Sequence, residues 1–180
     1  MYCRTVWLQM GLWTTNATPR LTEIIWNSWN SNRYFTGVFC DLAKAFDFVN
    51  HELLLTKLQF YGVKGLLLGR FNSYLYYRKQ RVELRFSDTC ICSSTWKTVK
   101  CGVTQRSVLG PLLFNICVSD LLGSVDNSSN VIMYADDTSI LISNNCYEDI
   151  NRNFNKVLYS TLIWFQASQL VLNVEKTKKK

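Results

Sequence analysis

Three aspartates at two points of the chain are the strongest candidates for chemistry. Asp136 and Asp137 are adjacent and lie between the apolar segments 131–134 and 139–142, while Asp41 ends another apolar segment. Adjacent carboxylates repel each other and apolar flanks deny them full solvation, so a cation is expected beside them. If the segment ending at Asp41 neighbours this pair, the three carboxylates offer the hard oxygen ligands that suit Mg²⁺.

The chemistry that such a site supports is phosphoryl transfer. Two magnesium ions about 3.5 to 4 Å apart would activate an attacking hydroxyl and stabilise the leaving phosphate oxygens. An isolated Asp136-Asp137 pair is more often an ordinary acidic turn, because aspartate is common in turns. The metal-site interpretation therefore depends on Asp41 and on the sequence around all three acids.

Several local patterns predict the elements that would position these acids. Residues 36–41 predict a strand, and Asn50 predicts the cap of a helix that stops at Gly62. The apolar segments on either side of the acidic pair predict an antiparallel hairpin with both carboxylates at its turn. Further helices are predicted over 66–77, over 108–122 from about Ser107, and over 148–169 with a buried stripe of Ile150, Phe154, Val157, Leu158, Leu162 and Phe165.

Alternating apolar residues predict two more strands. Residues 82–86 have the period of a half-buried strand, with 96–103 as the expected partner, and 170–174 predict a last strand before the lysine-rich end. A loop is expected over 123–130. Strands and helices mixed in this way predict an α+β fold in which helices pack on a small antiparallel sheet.

Composition narrows the class of partner and the compartment. Lysine and arginine number 20 against 13 acidic residues, a net charge of +7, which suits a polyanion such as nucleic acid. The seven cysteines show neither a small-domain nor a zinc spacing, which predicts reduced thiols in a cytoplasmic or nuclear protein that is not secreted. No segment is long enough to cross a membrane.

Four motifs in order make the pattern specific. Residues 38–47, Val-Phe-Cys-Asp-Leu-Ala-Lys-Ala-Phe-Asp, resemble the first catalytic motif of non-LTR retrotransposon reverse transcriptases, and residues 102–114 resemble their second motif. Residues 134–137, Tyr-Ala-Asp-Asp, are similar to the third motif and 172–177 to the fourth. The likeness is greatest to the LINE-type, jockey-like elements of animals.

The resemblance implies a fold, an activity and partners. It implies a degenerate N-terminal segment at 1–20, reverse-transcriptase fingers and palm at 21–177, a basic tail at 178–180, and a missing thumb. The implied activity is that of an RNA-directed DNA polymerase, which adds deoxynucleotides (dNTPs) to a DNA primer on an RNA template. The implied cofactor is a pair of Mg²⁺ ions, for which Mn²⁺ can substitute.

The resemblance also assigns roles to individual residues. It implies that the carboxylates of Asp41, Asp136 and Asp137 hold the metal, together with the backbone carbonyl of Leu42. It implies that the backbone amides of Lys44 and Ala45 face the incoming triphosphate and that Gln105 helps to hold the nucleotide. The ring of Phe46 would crowd a 2′-hydroxyl, although a plain core aromatic is the alternative. Lys176 would protonate the departing pyrophosphate, or else belong to a solvated lysine-rich end.

Two positions depart from the motif pattern. The family usually has proline and glycine where this chain has Thr104 and Arg106. A long charged side chain at Arg106 is expected to obstruct the nucleotide or template. The alternative function is therefore a non-catalytic nucleic-acid-binding relic of a retroelement palm, and a structural or regulatory domain is a third. Arg78, Lys79 and Arg81 are predicted either to contact nucleic-acid phosphates or to form a solvated basic loop.

Overall fold

A computed structural model describes residues 17–86, 91–105, 107–125, 129–134 and 137–179. Within these ranges the chain alternates helices with short strands, and helix α6 packs against the two central strands of the main sheet. The elements, in chain order, are α1 (Ala17–Asn30), β1 (Tyr34–Asp41), α2 (His51–Phe60), α3 (Gly65–Tyr76), β2 (Lys79–Gln80), β3 (Glu83–Arg85), β4 (Ile91–Ser93), β5 (Lys97–Thr98), α4 (Leu109–Val118), α5 (Leu121–Ser124), β6 (Ser129–Tyr134), β7 (Asp137–Asn144), α6 (Tyr147–Ala167) and β8 (Lys178–Lys179). The predicted α+β class is confirmed.

The main sheet has four strands in the order β6-β7-β1-β8, and each neighbouring pair is antiparallel. Side chains of a strand alternate between the two faces of its sheet. Val38, Cys40 and Leu42 alternate on one face of β1 and are buried, whereas Phe39 and Asp41 alternate on the other face and are half-buried. The acid at the end of β1 therefore lies on the face opposite the buried row.

The predicted acidic hairpin is confirmed, with a shorter turn than expected. Strand β7 begins at Asp137, which pairs with Tyr134 of β6, so Asp137 and Thr138 belong to the strand and not to the turn. Thr138 is buried, and the apolar residues that follow it continue the strand pattern. Strand β6 also begins at Ser129, inside the segment predicted to be a loop, and α5 occupies 121–124.

Helix α2 forms where its local signals predict it. The side chain of Asn50 accepts hydrogen bonds from the backbone amides of Glu52 and Leu53, at 2.8 and 3.1 Å, which satisfies two otherwise unpaired donors of the first turn. The helix ends before Gly62, whose φ of +92° is a conformation that glycine adopts readily. The predictions of the cap and of the stop are both confirmed.

The helix predicted over 108–122 is interrupted. Helix α4 ends at Val118, and a separate short helix, α5, begins at Leu121. The ammonium of Lys57 donates to the carbonyl of Cys117, which in an unbroken helix would accept from the amide of residue 121, and it also contacts Asp120 at 2.6 Å. This side chain takes the place of the backbone bond, so the helix does not continue.

Helix α6 buries a stripe slightly different from the predicted one. Ile150, Phe154, Val157 and Phe165 are buried as expected, but Leu162 is 42% exposed. Thr161 and Trp164 lie in the buried stripe instead. The hydroxyl of Thr161 donates to the carbonyl of Val157 at 2.8 Å, so a polar residue occupies the core without an unsatisfied donor.

The strands between α3 and α4 form an exposed ribbon. Strand β3 pairs with β4, and β2 pairs with β5, so the partner predicted at 96–103 for residues 82–86 is wrong. The predicted half-burial is also wrong, because Val82, Leu84 and Phe86 are 62, 55 and 73% exposed. The alternation reflects the two faces of a ribbon that no other described element covers.

The C-terminal strand is displaced from its predicted position. Of residues 170–174 only Leu172 makes a bridge, to Leu42, so the predicted strand is wrong. A turn follows, in which the amide and hydroxyl of Thr177 both donate to the carbonyl of Asn173. Lys178 and Lys179, predicted as a basic tail, form β8 at the edge of the sheet because this turn brings them alongside β1. Within the described ranges no helix is long and apolar enough to cross a membrane.

Candidate functional site

The register of the central strands brings two of the predicted acids together. Asp41, the last residue of β1, is directly opposite Asp137, the first residue of β7. Residues directly opposite in an antiparallel pair point to the same face of the sheet with their Cβ atoms about 4.5 to 5.5 Å apart. Two carboxylates therefore share one face at the end of the sheet, where their like charges repel each other. The third acid, Asp136, lies outside the described residues.

A lysine from the fourth motif lies beside this pair. The ammonium Nζ of Lys176 is 3.7 Å from Oδ2 of Asp41, whose side chain is 24% exposed. Two backbone bonds position the segment that carries it: the amide of Asn173 donates to the carbonyl of Asp41, and the amide of Ala43 donates to the carbonyl of Val171, both at 2.8 Å. The first and fourth motifs are thus joined by one isolated antiparallel bridge, between Leu42 and Leu172.

These two bonds also indicate where the carbonyl of Leu42 points. The carbonyl of Asp41 and the amide of Ala43 both face the segment 171–173. Backbone groups of successive extended residues point to opposite sides of a strand. The amide and carbonyl of Leu42 therefore project toward the opposite edge, the one that β7 occupies, while its side chain is buried.

The residues predicted to face a triphosphate form the turn after β1. Lys44 has a φ of +49°, and its carbonyl accepts from the amides of Asp47 and Phe48, at 2.8 and 3.2 Å. Within the described ranges the amides of Lys44 and Ala45 donate to no backbone carbonyl. Lys44 is exposed, whereas Ala45 is buried as a whole residue.

Phe46 is half-buried beside the core. Its ring packs against that of Phe114 in α4, with 4.8 Å between centroids and 34° between planes. This contact supports the interpretation of Phe46 as a core aromatic residue. The residue as a whole is only partly buried.

The second motif is bonded to this turn. Nε2 of Gln105 donates to Oδ1 of Asp47 at 2.9 Å. Asp47 is the last residue of the first motif, and the motif pattern assigned it no role. Its partner is 58 residues away, so no local pattern could have predicted the contact. The bond holds the predicted nucleotide-binding amide against the turn that holds Lys44 to Phe46.

Gly102 brings the two motifs into backbone contact. Its φ is +87°, and its amide donates to the carbonyl of Val49 at 2.8 Å, while the amide of Val103 donates to the carbonyl of Phe46 at 2.7 Å. A Cβ at residue 102 would lie 2.7 Å from the carbonyl oxygen of Asp47. Only glycine fits both the conformation and the space.

Thr104, one of the two departures from the family pattern, has specific partners. The hydroxyl of Tyr74 in α3 donates to Oγ1 of Thr104 at 3.1 Å and lies 3.4 Å from Oγ of Ser107. Partial burial raises the pKa of Tyr74, but these hydrogen bonds and the nearby charge of Arg78 together bring it below its ordinary value. The threonine thus anchors the loop carrying Gln105 to α3. Arg106 lies outside the described residues.

The cysteines give no metal site within the described part of the chain. No three histidine, cysteine or acidic side chains there are grouped closely enough to hold a metal ion. Cys40 and Cys117 are buried free thiols, and burial raises the pKa of Cys40 to about 11 and raises that of Cys117 as well. Thiols held in the protonated form are poor metal ligands and poor nucleophiles.

The chain is an α+β domain, and its first and third motifs place opposing aspartates at the end of a small antiparallel sheet. These features define the class of protein as a reverse transcriptase. The model of the family "Reverse transcriptase (RNA-dependent DNA polymerase)" matches residues 9–180. The chain belongs to this family. Its relatives further identify it as a reverse transcriptase domain homologous to the RNA-directed DNA polymerases of non-LTR retrotransposons.

The relatives of this chain include two proteins of Drosophila melanogaster transposons. The probable RNA-directed DNA polymerase from transposon BS is 31% identical over 181 residues, which cover 94% of this chain and 19% of the relative. The RNA-directed DNA polymerase from mobile element jockey is 28% identical over 178 residues, which cover 93% of this chain and 19% of the relative. The chain thus spans about a fifth of the length of these curated relatives, and the resemblance to jockey-like elements is confirmed.

Solved structures support the fold. Apo telomerase from Candida tropicalis, truncated from its C-terminal domain, superposes with a TM-score of 0.64 at 14% identity, over 91% of this chain and 35% of that one. Telomerase from the same organism in complex with a TWJ fragment of telomeric RNA gives 0.63 at 15% identity, over 92% and 29%. At such identities the likeness concerns the fold alone.

Proposed function

We propose that residues 21–177 are the fingers and palm of an RNA-directed DNA polymerase, which transfers a nucleotide from a dNTP to the 3′-hydroxyl of a DNA primer on an RNA template. The observation that carries the proposal is the register of β1 and β7, which sets Asp41 opposite Asp137. The family implies divalent-metal dependence in general. The proposal is specific about the ion, the residues and the partners.

We propose that Asp41, Asp136 and Asp137, with the carbonyl of Leu42, hold two Mg²⁺ ions, for which Mn²⁺ can substitute. The donor set fits, because it consists of hard oxygens and includes two carboxylates that face each other across adjacent strands. When bound, the metal would neutralise the developing charge on the phosphate and activate the primer hydroxyl. Like charges directly opposite on neighbouring strands destabilise the pair, and a divalent ion would add positive charge to that which Lys176 already supplies beside Asp41.

The turn after β1 would hold the triphosphate. The amides of Lys44 and Ala45 donate to no backbone carbonyl in the described ranges, so they are able to donate to phosphate oxygens. Gln105 would orient the nucleotide from the opposite side of the turn, and its bond to Asp47 fixes its position at low entropic cost. The ring of Phe46, which packs against Phe114, would exclude a 2′-hydroxyl and so favour dNTPs.

Lys176 would protonate the departing pyrophosphate. Its ammonium is a proton donor 3.7 Å from the carboxylate of Asp41. The side chain of Lys176 is 70% exposed, as the solvated alternative requires, and its approach to Asp41 is what supports the proton-donor role. The proposed compartment is the cytoplasm or nucleus, which keeps the free thiols at Cys92, Cys101 and Cys146 reduced.

A second candidate function is nucleic-acid binding without catalysis. The specific observation in its favour is the basic ribbon between α3 and α4, which is exposed and does not include the acids. Thr104 accepts a hydrogen bond from Tyr74, so the loop of the second motif keeps specific contacts although its sequence departs from the family pattern. The two candidates differ in whether the acids matter to a measurable reaction.

Primer extension on an RNA template with Mg²⁺ or Mn²⁺ tests the proposal. Asp41→Asn removes one metal ligand with little change in shape and should reduce incorporation of dNTPs to the level without protein. Asp149→Asn makes the same chemical change on an exposed carboxylate of α6, near the opposite end of β7, and should leave incorporation unaltered. Equal incorporation by the two variants, or none by the wild type, refutes the polymerase proposal.

A further inference from the structure

The ribbon of β2 to β5 is strongly basic on its exposed surface. In the described part of the ribbon and its ends there are six basic residues and one acid, Glu83, which is itself ion-paired with Arg81. The basic residues are Arg78, Lys79, Arg81, Arg85, Lys97 and Lys100. Such a charge balance on one exposed element is complementary to a polyanion.

One face of the ribbon combines these charges with an aromatic ring. Lys79 pairs with Thr98 and Gln80 with Lys97, so the next cross-strand neighbours are Arg81 and Trp96. The guanidinium of Arg81 lies over the ring of Trp96, with 4.6 Å from its central carbon to the ring centroid. By alternation Lys79 lies on the same face as this stack, whereas Lys97 lies on the other face.

The ring of Trp96 has a partner and is also accessible. The guanidinium of Arg81, which is ion-paired with Glu83, lies over one face of the indole. The residue is nevertheless 58% exposed, so part of its surface is open to another planar group.

We propose that this face, defined by Lys79, Arg81 and Trp96, binds single-stranded RNA by stacking an unpaired base on Trp96 and by contacting the neighbouring phosphate with Lys79. Base stacking on aromatic side chains beside a basic track is the chemistry by which single strands are bound without sequence preference. A duplex offers phosphates but no free base face. The exposed indole therefore favours the unpaired strand over a duplex.

The inference rests on the proposed function only for the identity of the strand as template; the binding itself needs neither metal nor catalysis. Anisotropy of a labelled oligouridylate measures it with the full chain. Trp96→Ala should weaken binding by about tenfold, within the range that base stacking contributes. Trp96→Phe should restore most of the affinity. Trp29→Ala, at a tryptophan of α1 that is 80% exposed, should change it by less than about twofold.

A blunt RNA–DNA duplex of the same length serves as the second ligand. Trp96→Ala should alter its affinity by less than about twofold, since its bases are not available for stacking. Equal losses for the single strand and the duplex, or a failure of phenylalanine to restore binding, would overturn the stacking proposal. So would equal affinities of Trp96→Ala and Trp29→Ala for oligouridylate.

The salt dependence tests the face independently. Each phosphate contact on a single strand contributes about 0.7 to the slope of log affinity against log salt. Lys79→Ala should reduce the slope by about that amount, whereas Lys97→Ala, the same change on the opposite face, should not. Equal slopes for the two variants would refute the assignment of the face. Loss of primer extension in Asp41→Asn with unchanged RNA binding would show the two proposals to be separate.

Discussion

Three glycines of this chain test the contact between the first and second motifs. Gly102 has a φ of +87° and close neighbours, Gly62 has a φ of +92° and nothing within 4 Å of an added Cβ, and Gly69 in α3 has neither restriction. Alanine at the three sites therefore separates backbone strain from steric contact. The same one-carbon change is made each time.

The expected free energies follow from these environments. Gly69→Ala should stabilise the fold by about 0.5 to 1 kcal/mol, because alanine is the better residue in an exposed helix. Gly62→Ala should cost about 1 to 2 kcal/mol for the left-handed conformation alone. Gly102→Ala adds overpacking, since its Cβ would lie 2.7 Å from the carbonyl oxygen of Asp47 and 2.9 Å from that of Phe46. Its total cost should be about 2 to 5 kcal/mol.

Urea denaturation of the three variants measures these differences. From the most to the least stable, the order should be Gly69→Ala, wild type, Gly62→Ala and Gly102→Ala. In primer extension, Gly102→Ala should also raise the KM for dNTP, because the displaced strand carries the loop of Gln105. A Gly102→Ala variant no less stable than Gly62→Ala would refute the close approach of the two motifs.

Substitutions of Lys57, Asn50 and Cys40 test contacts of the core and the cap of α2. Lys57→Met should lower the unfolding free energy by about 1 to 3 kcal/mol, since the ammonium bonds the carbonyl of Cys117 and Asp120 and lies 5.1 Å from the ring centroid of Trp164; unchanged urea stability would contradict this. Asn50→Ala should cost about 1 kcal/mol by removing the cap of α2, whereas Asn50→Asp should retain most of it; equal losses in the two would argue against the cap. The thiol of Cys40 has its pKa raised from 9.0 to about 11, so the stability it contributes is present below pH 9.0 and is lost as pH rises toward about 11. Cys40→Ala should therefore show a shallower decline of unfolding free energy over that interval than the wild type, and identical declines would exclude this contribution.

Local patterns predicted much of the fold. The cap at Asn50, the stop at Gly62 and the acidic hairpin depend on neighbouring residues and formed where expected. The alternation at 82–86 did not predict its environment, because a free ribbon and a half-buried strand have the same period. Whether a strand is covered depends on distant elements.

The candidate site likewise combines features that neighbouring residues predict with features that depend on distant parts of the chain. The strand that ends in Asp41 was predicted to its last residue, whereas Asp137 was expected in the turn and begins β7 instead. The register of the two strands depends on the pairing of whole strands. The bond between Gln105 and Asp47 and the anchoring of Thr104 by Tyr74 depend on long-range packing. The β8 pairing of Lys178 and Lys179 was likewise unpredictable, since lysine has little preference for strands and the neighbouring edge of β1 decides the pairing.

Uptake of Mn²⁺, followed by the loss of the free-ion electron paramagnetic resonance signal, tests most directly whether Asp41 and Asp137 form one metal site. The wild type should bind Mn²⁺ saturably, and Asp41→Asn and Asp137→Asn should each weaken this binding by at least about tenfold, while Asp149→Asn leaves it unchanged. Equal Mn²⁺ affinity in the wild type and in Asp41→Asn would contradict the claim that these opposing carboxylates hold the metal.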